Sequence, residues 1–186
     1  DIIICNKEEN TKEIVEQLSA ICPVWVTDIC TVKDNSKMIQ DFGELFNKRI
    51  EAQKWILKIE TAQKDFETFV TGKSIKKVAY FIWANPYMVA GNNTFINELL
   101  KLNHFQNIYQ AKEGRYPAVD LEKIFSEGNP DYVLLSSEPF PFKEEHANEI
   151  IKHTQHTIPI FVDGEMFSWY GSRLLKAFAY FKLLHQ

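Results

Sequence analysis

The sequence predicts an α/β fold: two lobes, each on a mainly parallel sheet, joined by one long helix, with the first lobe incomplete. Three observations carry this. Short apolar runs alternate with helical patterns from end to end. The chain opens β-α-β, and one apolar stripe at 3–4 spacing runs through a stretch with almost no strand signal. The 186 residues are 45% hydrophobic and 25% charged. That is globular composition, enough for one large domain or two small lobes, and it excludes disorder, collagen and coiled coil. No apolar run approaches the ~18 residues that would span a bilayer.

Asp1-Ile-Ile-Ile-Cys5 reads as a buried parallel-sheet strand, Glu8 to Ile21 as a helix with Ile14, Leu18 and Ile21 on one face, and Pro23 to Thr27 as a second strand. Two strands and one helix cannot close a core. Thr31-x-x-Asp34 marks a helix start, Gly43 a break or a tolerated defect, and Asn47 to Val70 one helix. Its stripe is Ile50, Trp55, Ile59, Ala62, Phe66 and Phe69, spanning roughly 35 Å at the α-helical rise. A coiled coil is the competing reading, but the stripe is too short and its heptad too irregular. The boundaries are therefore 1–46 for the rest of the first lobe, 47–70 for the connecting helix and 71–186 for the second lobe.

In the second lobe, Lys77 to Trp83 is a strand, Ala84 to Gly91 a loop, and Asn93 to Leu102 a helix carrying Phe95, Leu99 and Leu102 on one side. A short strand and loop cover Asn107 to Pro117, and a helix from Val119 stops at Gly128-Asn-Pro130. Strand Asp131–Leu135, helix Lys143–His153, strand Ile158–Val162 and a closing helix from Ser168 to Leu184 complete the chain.

The formal net charge of −4 argues against nucleic acid as a partner. All the excess negative charge lies in the first seventy residues; the remainder is balanced. Cys5, Cys22 and Cys30 lie in neither a C-x-x-C nor a zinc spacing. Cys5 with Cys30 is the one disulfide worth considering, against three free thiols.

In open parallel sheets, ligands bind beyond the carboxyl ends of the strands. Here those ends carry Asn6-Lys-Glu-Glu-Asn10, then Trp83, Asn85, Pro86, Tyr87 and Met88, then Ser136 to Phe142, then Asp163 to Tyr170. Aromatic, Met and Pro side chains on loops are costly to expose unless they meet a ligand or pack on one another as a satellite core. As a cluster they mark a binding cleft, with flat contact from Trp83, Tyr87, Met88, Phe140 and Trp169 and polar fixing from Asn85, Arg115 and Glu138. Arg115, beside Tyr116 on a loop, is placed to clamp an anionic ligand. Arg173 is as well suited to brace its helix against Glu165 or Asp163. No G-x-G-x-x-G, P-loop, G-x-S-x-G or H-E-x-x-H occurs. His146 and His153 can share a helix face, but without a fixed carboxylate or thiol they read as solvated surface rather than metal ligands. Glu138 and Glu165 each follow a strand, and read as binding or docking groups rather than an acid/base pair. No catalytic residue and no cofactor is expected.

Segments 1–28, 77–91, 115–142 and 158–175 resemble the substrate-binding proteins of ATP-binding-cassette importers for cobalamin, iron-siderophores and haem. The most specific matches are Asn6-Lys-Glu-Glu-Asn10, Gly91-Asn-Asn-Thr-Phe95, Asp131-Tyr-Val-Leu-Leu-Ser-Ser-Glu138 and Ser168-Trp-Tyr-Gly-Ser-Arg173. The resemblance implies two Rossmann-like lobes on a rigid helix, an interlobe ligand, and a further α/β unit before Asp1. It also implies docking on a membrane permease through one carboxylate per lobe, Glu8 or Glu9 on the first and Glu165 on the second. Cobalamin-type members place a tryptophan where this chain has Asn6, and the matching aromatic of the second lobe is displaced to Met166 or Trp169. With Tyr116, these complete the expected ligand-binding set.

The function expected is capture of a metal chelate (iron-siderophore, haem or corrinoid) for a permease, by a monomer in the periplasm or cell envelope. A chelatase-like enzyme would need an inward-facing His or Cys, and a ligand-sensing domain without transport is the third reading.

Overall fold

A computed structural model describes residues 1–186. Strands β1 (Ile3–Asn6) and β2 (Val24–Thr27) pair in parallel, with α1 (Lys12–Ser19) crossing between them. The helix starts later than Glu8 because Asn6 and Asn10 close a turn first. Asn6 Oδ1 accepts the Glu9 N–H at 2.8 Å, and Asn10 Oδ1 accepts the Asn6 N–H at 3.0 Å. Thr11 then caps the helix through the Ile14 N–H. No residue of α1 is buried, and Ile14 and Ile21 are exposed, so the expected apolar face is covered only in part, at the half-buried Leu18.

Helix α2 (Val32–Leu45) opens with the capping box read at Thr31 and Asp34. Gly43 does not break it. A Cβ there would lie 2.5 Å from the Ala52 Cβ, so this glycine lets α2 close against α3 (Arg49–Val70). The buried stripe of α3 is Ala52, Ile56, Ile59, Phe66 and Val70. Ala62 and Phe69 flank it half-buried, but Ile50 and Trp55 face outward. A 3–4 pattern is equally consistent with two adjacent stripes, and the neighbours α2 and α8 choose between them.

The larger sheet has β3 (Lys76–Trp83) beside β6 (Tyr132–Ser136), then β7 (Ile158–Val162), all parallel. Two short strands share the other edge of β3: β5 (Phe105–Asn107) in parallel, and antiparallel β4 (Met88–Val89) inside the loop expected after Trp83. Side chains alternate across this sheet. Val78, Tyr80 and Leu134 face a core shared with Phe66 of α3, Phe95 and Leu99 of α4 (Phe95–Leu102), Phe167 of α7 (Gly164–Ser168), and Phe178 and Phe181 of α8 (Leu174–Leu183). Ala79, Phe81, Val133 and Leu135 face Ile124 of α5 (Ile124–Glu127) and Ala147 and Ile150 of α6 (Glu144–Ile151).

The short strand ends at Asn107 rather than beginning there. The closing helix begins at Leu174; before it Asp163 caps α7, and Gly171–Arg173 forms a 3₁₀ turn. The first core also takes in Ile29, Val32 and Met38, so α2 packs with the second half as well as with α3. The three cysteines are free thiols. No helix is long and apolar enough to cross a membrane.

Candidate ligand-binding cleft

The carboxyl ends of β1, β3 and β6 open onto one cavity of about 760 Å³, within the range that holds drug- or cofactor-sized ligands. From the β1 side come Asn6, Glu8 and Glu9; β3 sends Tyr80 and Ile82; the β6 loop supplies Ser136, Glu138 and Pro139. The N-terminus of α4 adds Phe95 and Ile96, and Ser168, Trp169 and Tyr170 close the far side.

Tyr80 and Ser136 form its floor. The fully buried Tyr80 hydroxyl donates to Ser136 Oγ at 3.2 Å, and Ser136 Oγ donates onward to the Glu138 carbonyl. Burial raises the Tyr80 pKa well above the ordinary phenol value, so the hydroxyl stays protonated. Gly164 lets α7 approach this floor: a Cβ there would strike Ser136 Oγ and come within 2.6 Å of Glu138 Cγ.

Glu138 and Trp169 form one wall. Glu138 Oε1 accepts the Trp169 indole N–H at 2.8 Å and the Ser168 hydroxyl at 3.1 Å. The Arg173 guanidinium lies 5.1 Å from the Trp169 ring centroid and pairs with Glu165 at 2.8 Å. Trp169 is thus fixed on two sides while 49% of its surface stays open.

Polar contacts tie the two halves together around the cavity. Thr27 Oγ1 donates to the Cys5 carbonyl, which leaves the Tyr170 hydroxyl to donate to Thr27 Oγ1 at 3.3 Å. The Gly171 N–H donates to Asn35 Oδ1 at 2.6 Å. Arg115 is not a free ligand clamp: it reaches across to Glu8 and, at 3.0 Å, to Asp28, which also holds Lys7. The Lys7 hydrogen bond, reinforced by Arg115, lowers the Asp28 pKa against a smaller opposing effect of burial. Partial burial opposes the Arg115 charge, but Asp28 and Glu8 together raise its pKa above the ordinary value. Burial, then the Glu8 charge, also raises the pKa of Tyr116 on the cavity wall.

The expected site residues therefore divide. Asn6, Tyr116, Glu138 and Trp169 line the cavity together with Glu8 and Glu9. Trp83, Tyr87 and Phe140 lie on the opposite side of the larger sheet. Trp83 meets Phe140 edge-on at 5.6 Å, while Tyr87 packs against Phe81 and donates to Glu149 at 2.6 Å. Tyr87 and Phe140 pack on the second core there, while Trp83 stays 41% exposed. Met88 is taken into β4, bridging to Ala118, and Asn85 occupies a positive-φ turn position. Met166 packs on the first core, and Glu165 is engaged by Arg173. His146 serves its own helix, its Nδ1 accepting the Lys143 N–H at 3.0 Å. Cys30 is half-buried; burial is the main cause of its raised thiol pKa, with Asp28 adding to it against Arg115. Tyr80 and Ile82 lie outside the strand-end segments that the sequence marks, whereas Ser136 and Tyr170 belong to those segments without being among the expected contacts. Strand alternation was the available signal for Tyr80 and Ile82, since residues of their parity oppose Trp83 across β3.

Two sheets whose strand ends open onto one ligand-sized cavity are the arrangement of a cleft-type solute-binding fold. A family model described as periplasmic binding protein matches residues 1–157, and the chain belongs to that family. It is 25% identical over 135 residues to the high-affinity heme uptake system protein IsdE of Staphylococcus aureus, an alignment covering 68% of this chain and 46% of that protein. The chain thus spans about half the length of the curated relatives it matches. An ABC transporter substrate-binding protein from Listeria monocytogenes superposes with a TM-score of 0.80 at 21% identity, covering 98% of this chain and 75% of that one. The vitamin B12 binding protein BtuF of Vibrio cholerae gives 0.78 at 15% identity, covering 100% and 75%. At these identities the structures establish the fold, which is that of class III periplasmic binding proteins. Members of the family are periplasmic or extracellular-facing binding proteins.

Proposed function

We propose that this protein captures a metal chelate (an iron-siderophore, haem or a corrinoid) in its cleft and delivers it to the permease of an ATP-binding-cassette importer. The observation that carries the reading is the 760 Å³ cavity at the carboxyl ends of strands from both sheets, walled by Trp169, Tyr116 and Tyr170. The protein acts as a monomer, without catalysis, in the periplasm or cell envelope. Glu8 or Glu9, on one turn of the first half, and Glu165, at the start of α7, are the proposed permease-docking carboxylates; Glu8 and Glu165 each already hold an arginine of this chain, and Glu9 forms no ion pair. The chelatase-like alternative needs a Cys or His facing the cleft, and the lining supplies neither.

Native mass spectrometry and visible absorbance of the purified protein, incubated with cobalamin, haemin and ferric siderophores, provide the test. Retention of at least one after desalting is expected. Retention of none refutes capture.

A further inference from the structure

The charge on the cleft walls carries the reading of capture one step further, to the class of chelate. Three lining side chains, Glu8, Glu9 and Glu138, are acidic, and none is Lys, Arg or His. Glu8 is neutralised by Arg115, which also pairs with Asp28. Glu138 has no cationic partner: Trp169 and Ser168, both neutral, supply its hydrogen bonds. Glu9 forms no ion pair. Arg173, the other arginine of the second half, is committed to Glu165 and to the face of Trp169.

The walls built by residues 1–186 thus present uncompensated negative charge beside open aromatic surface. We infer that the cleft selects neutral or cationic metal chelates over anionic ones. This rests on the capture function proposed above. An anionic group set against Glu138 meets a like charge in a cavity partly shielded from water, where repulsion over a few ångströms is only weakly screened. An ammonium group there gains the Glu138 carboxylate beside the open surface of Trp169. Ferric trihydroxamates, in which three singly charged donors balance the metal, fit this description. Ferric tricatecholates do not, and the propionates of haem meet no free cation on these walls.

Equilibrium dialysis of the protein separates these cases. The probes are a ferric trihydroxamate bearing a free ammonium, the same complex with that amine acetylated, and a triply anionic ferric tricatecholate. The ammonium form should bind at least about tenfold tighter than the tricatecholate at low salt, with the acetylated form between them and the gap narrowing as salt rises. Glu138→Gln keeps an oxygen acceptor for Trp169 and Ser168 and removes the charge, so it should shrink the gap at least about threefold. A tricatecholate that binds as tightly as the ammonium form overturns the inference, as does a gap that Glu138→Gln leaves unchanged. Should Glu138→Gln fail to fold, the salt dependence of the unsubstituted protein decides. Binding of none of the three also overturns it, whereas the capture reading is judged separately on cobalamin and haemin.

Discussion

The two sheets are built from similar apolar strands, yet they sit in opposite surroundings. In the small sheet Ile4 and Val26 stay exposed, and α1 beside it buries nothing. In the large sheet Val78, Ala79, Tyr80 and Phe81 are each at 0% exposure because helices cover both faces. A parallel strand becomes a rigid anchor only when both its faces are covered. The cleft lies on the border between the two regimes, and the polar ties of Arg115, Tyr170 and Asn35 hold the less covered side to the more covered one. Charge follows the same division: the acidic first part is met by the arginine of a second-half loop.

The comparison can be broken most decisively at Phe66, fully buried where α3 meets Phe178 and Phe181. Phe66→Ala should lower unfolding free energy by about 3–5 kcal/mol in a denaturant titration. Gly164→Ala comes next, at about 1–3 kcal/mol, because the new methyl collides with the Ser136–Glu138 floor. Calorimetry should show weakened ligand binding along with the lost stability. Arg115→Gln removes a partly exposed network and should cost about 1 kcal/mol at low salt and less at high salt. Indifference to salt would mean that Arg115 does not hold the two sides electrostatically.

A smaller effect concerns His185, packed against Phe105 and Phe69. Burial first, then the charges of Lys73 and His104, lower its pKa. The unfolded chain therefore binds the proton more readily. The His185 contribution is fully present above its unfolded pKa of ~6.5 and is lost as pH falls through that value toward the lower folded one. Melts at about pH 7.5 and 5.5 should differ less in His185→Gln than in the unsubstituted protein. Least of all, Ile14→Ser should change stability by under about 0.5 kcal/mol, since 40% of Ile14 is already open. A cost comparable to Phe66→Ala would show that α1 is covered in solution and would erase the contrast between the sheets.

Much of this architecture is legible in the sequence because its signals are local. Thr31 with Asp34 caps α2 within one turn, and alternation of strand and helix places nearly every element. The approximate length of α3 follows from its periodic stripe. The stripe's rotation does not, since Trp55 and Ile56 precede Ile59 by four and three residues and satisfy the pattern equally, yet only Ile56 is buried. Half of the site is missed for a related reason. Trp83 and Phe140 stand on strand-end loops as a ligand wall would, but strand parity and α6 turn them to the opposite side of the sheet.

By itself, then, the sequence determined the α/β class, the order of elements, the helix caps and the strand ends at which a ligand would be met. These depend on contacts within a few residues and on the periods of helix and strand. Only the tertiary structure decided that Tyr80 and Tyr170 rather than Trp83 and Tyr87 wall the cleft. It alone showed that Arg115 is consumed by Glu8 and Asp28. Those outcomes depend on which neighbour covers each face and on pairs separated by up to 143 positions, and no local pattern encodes such a distance.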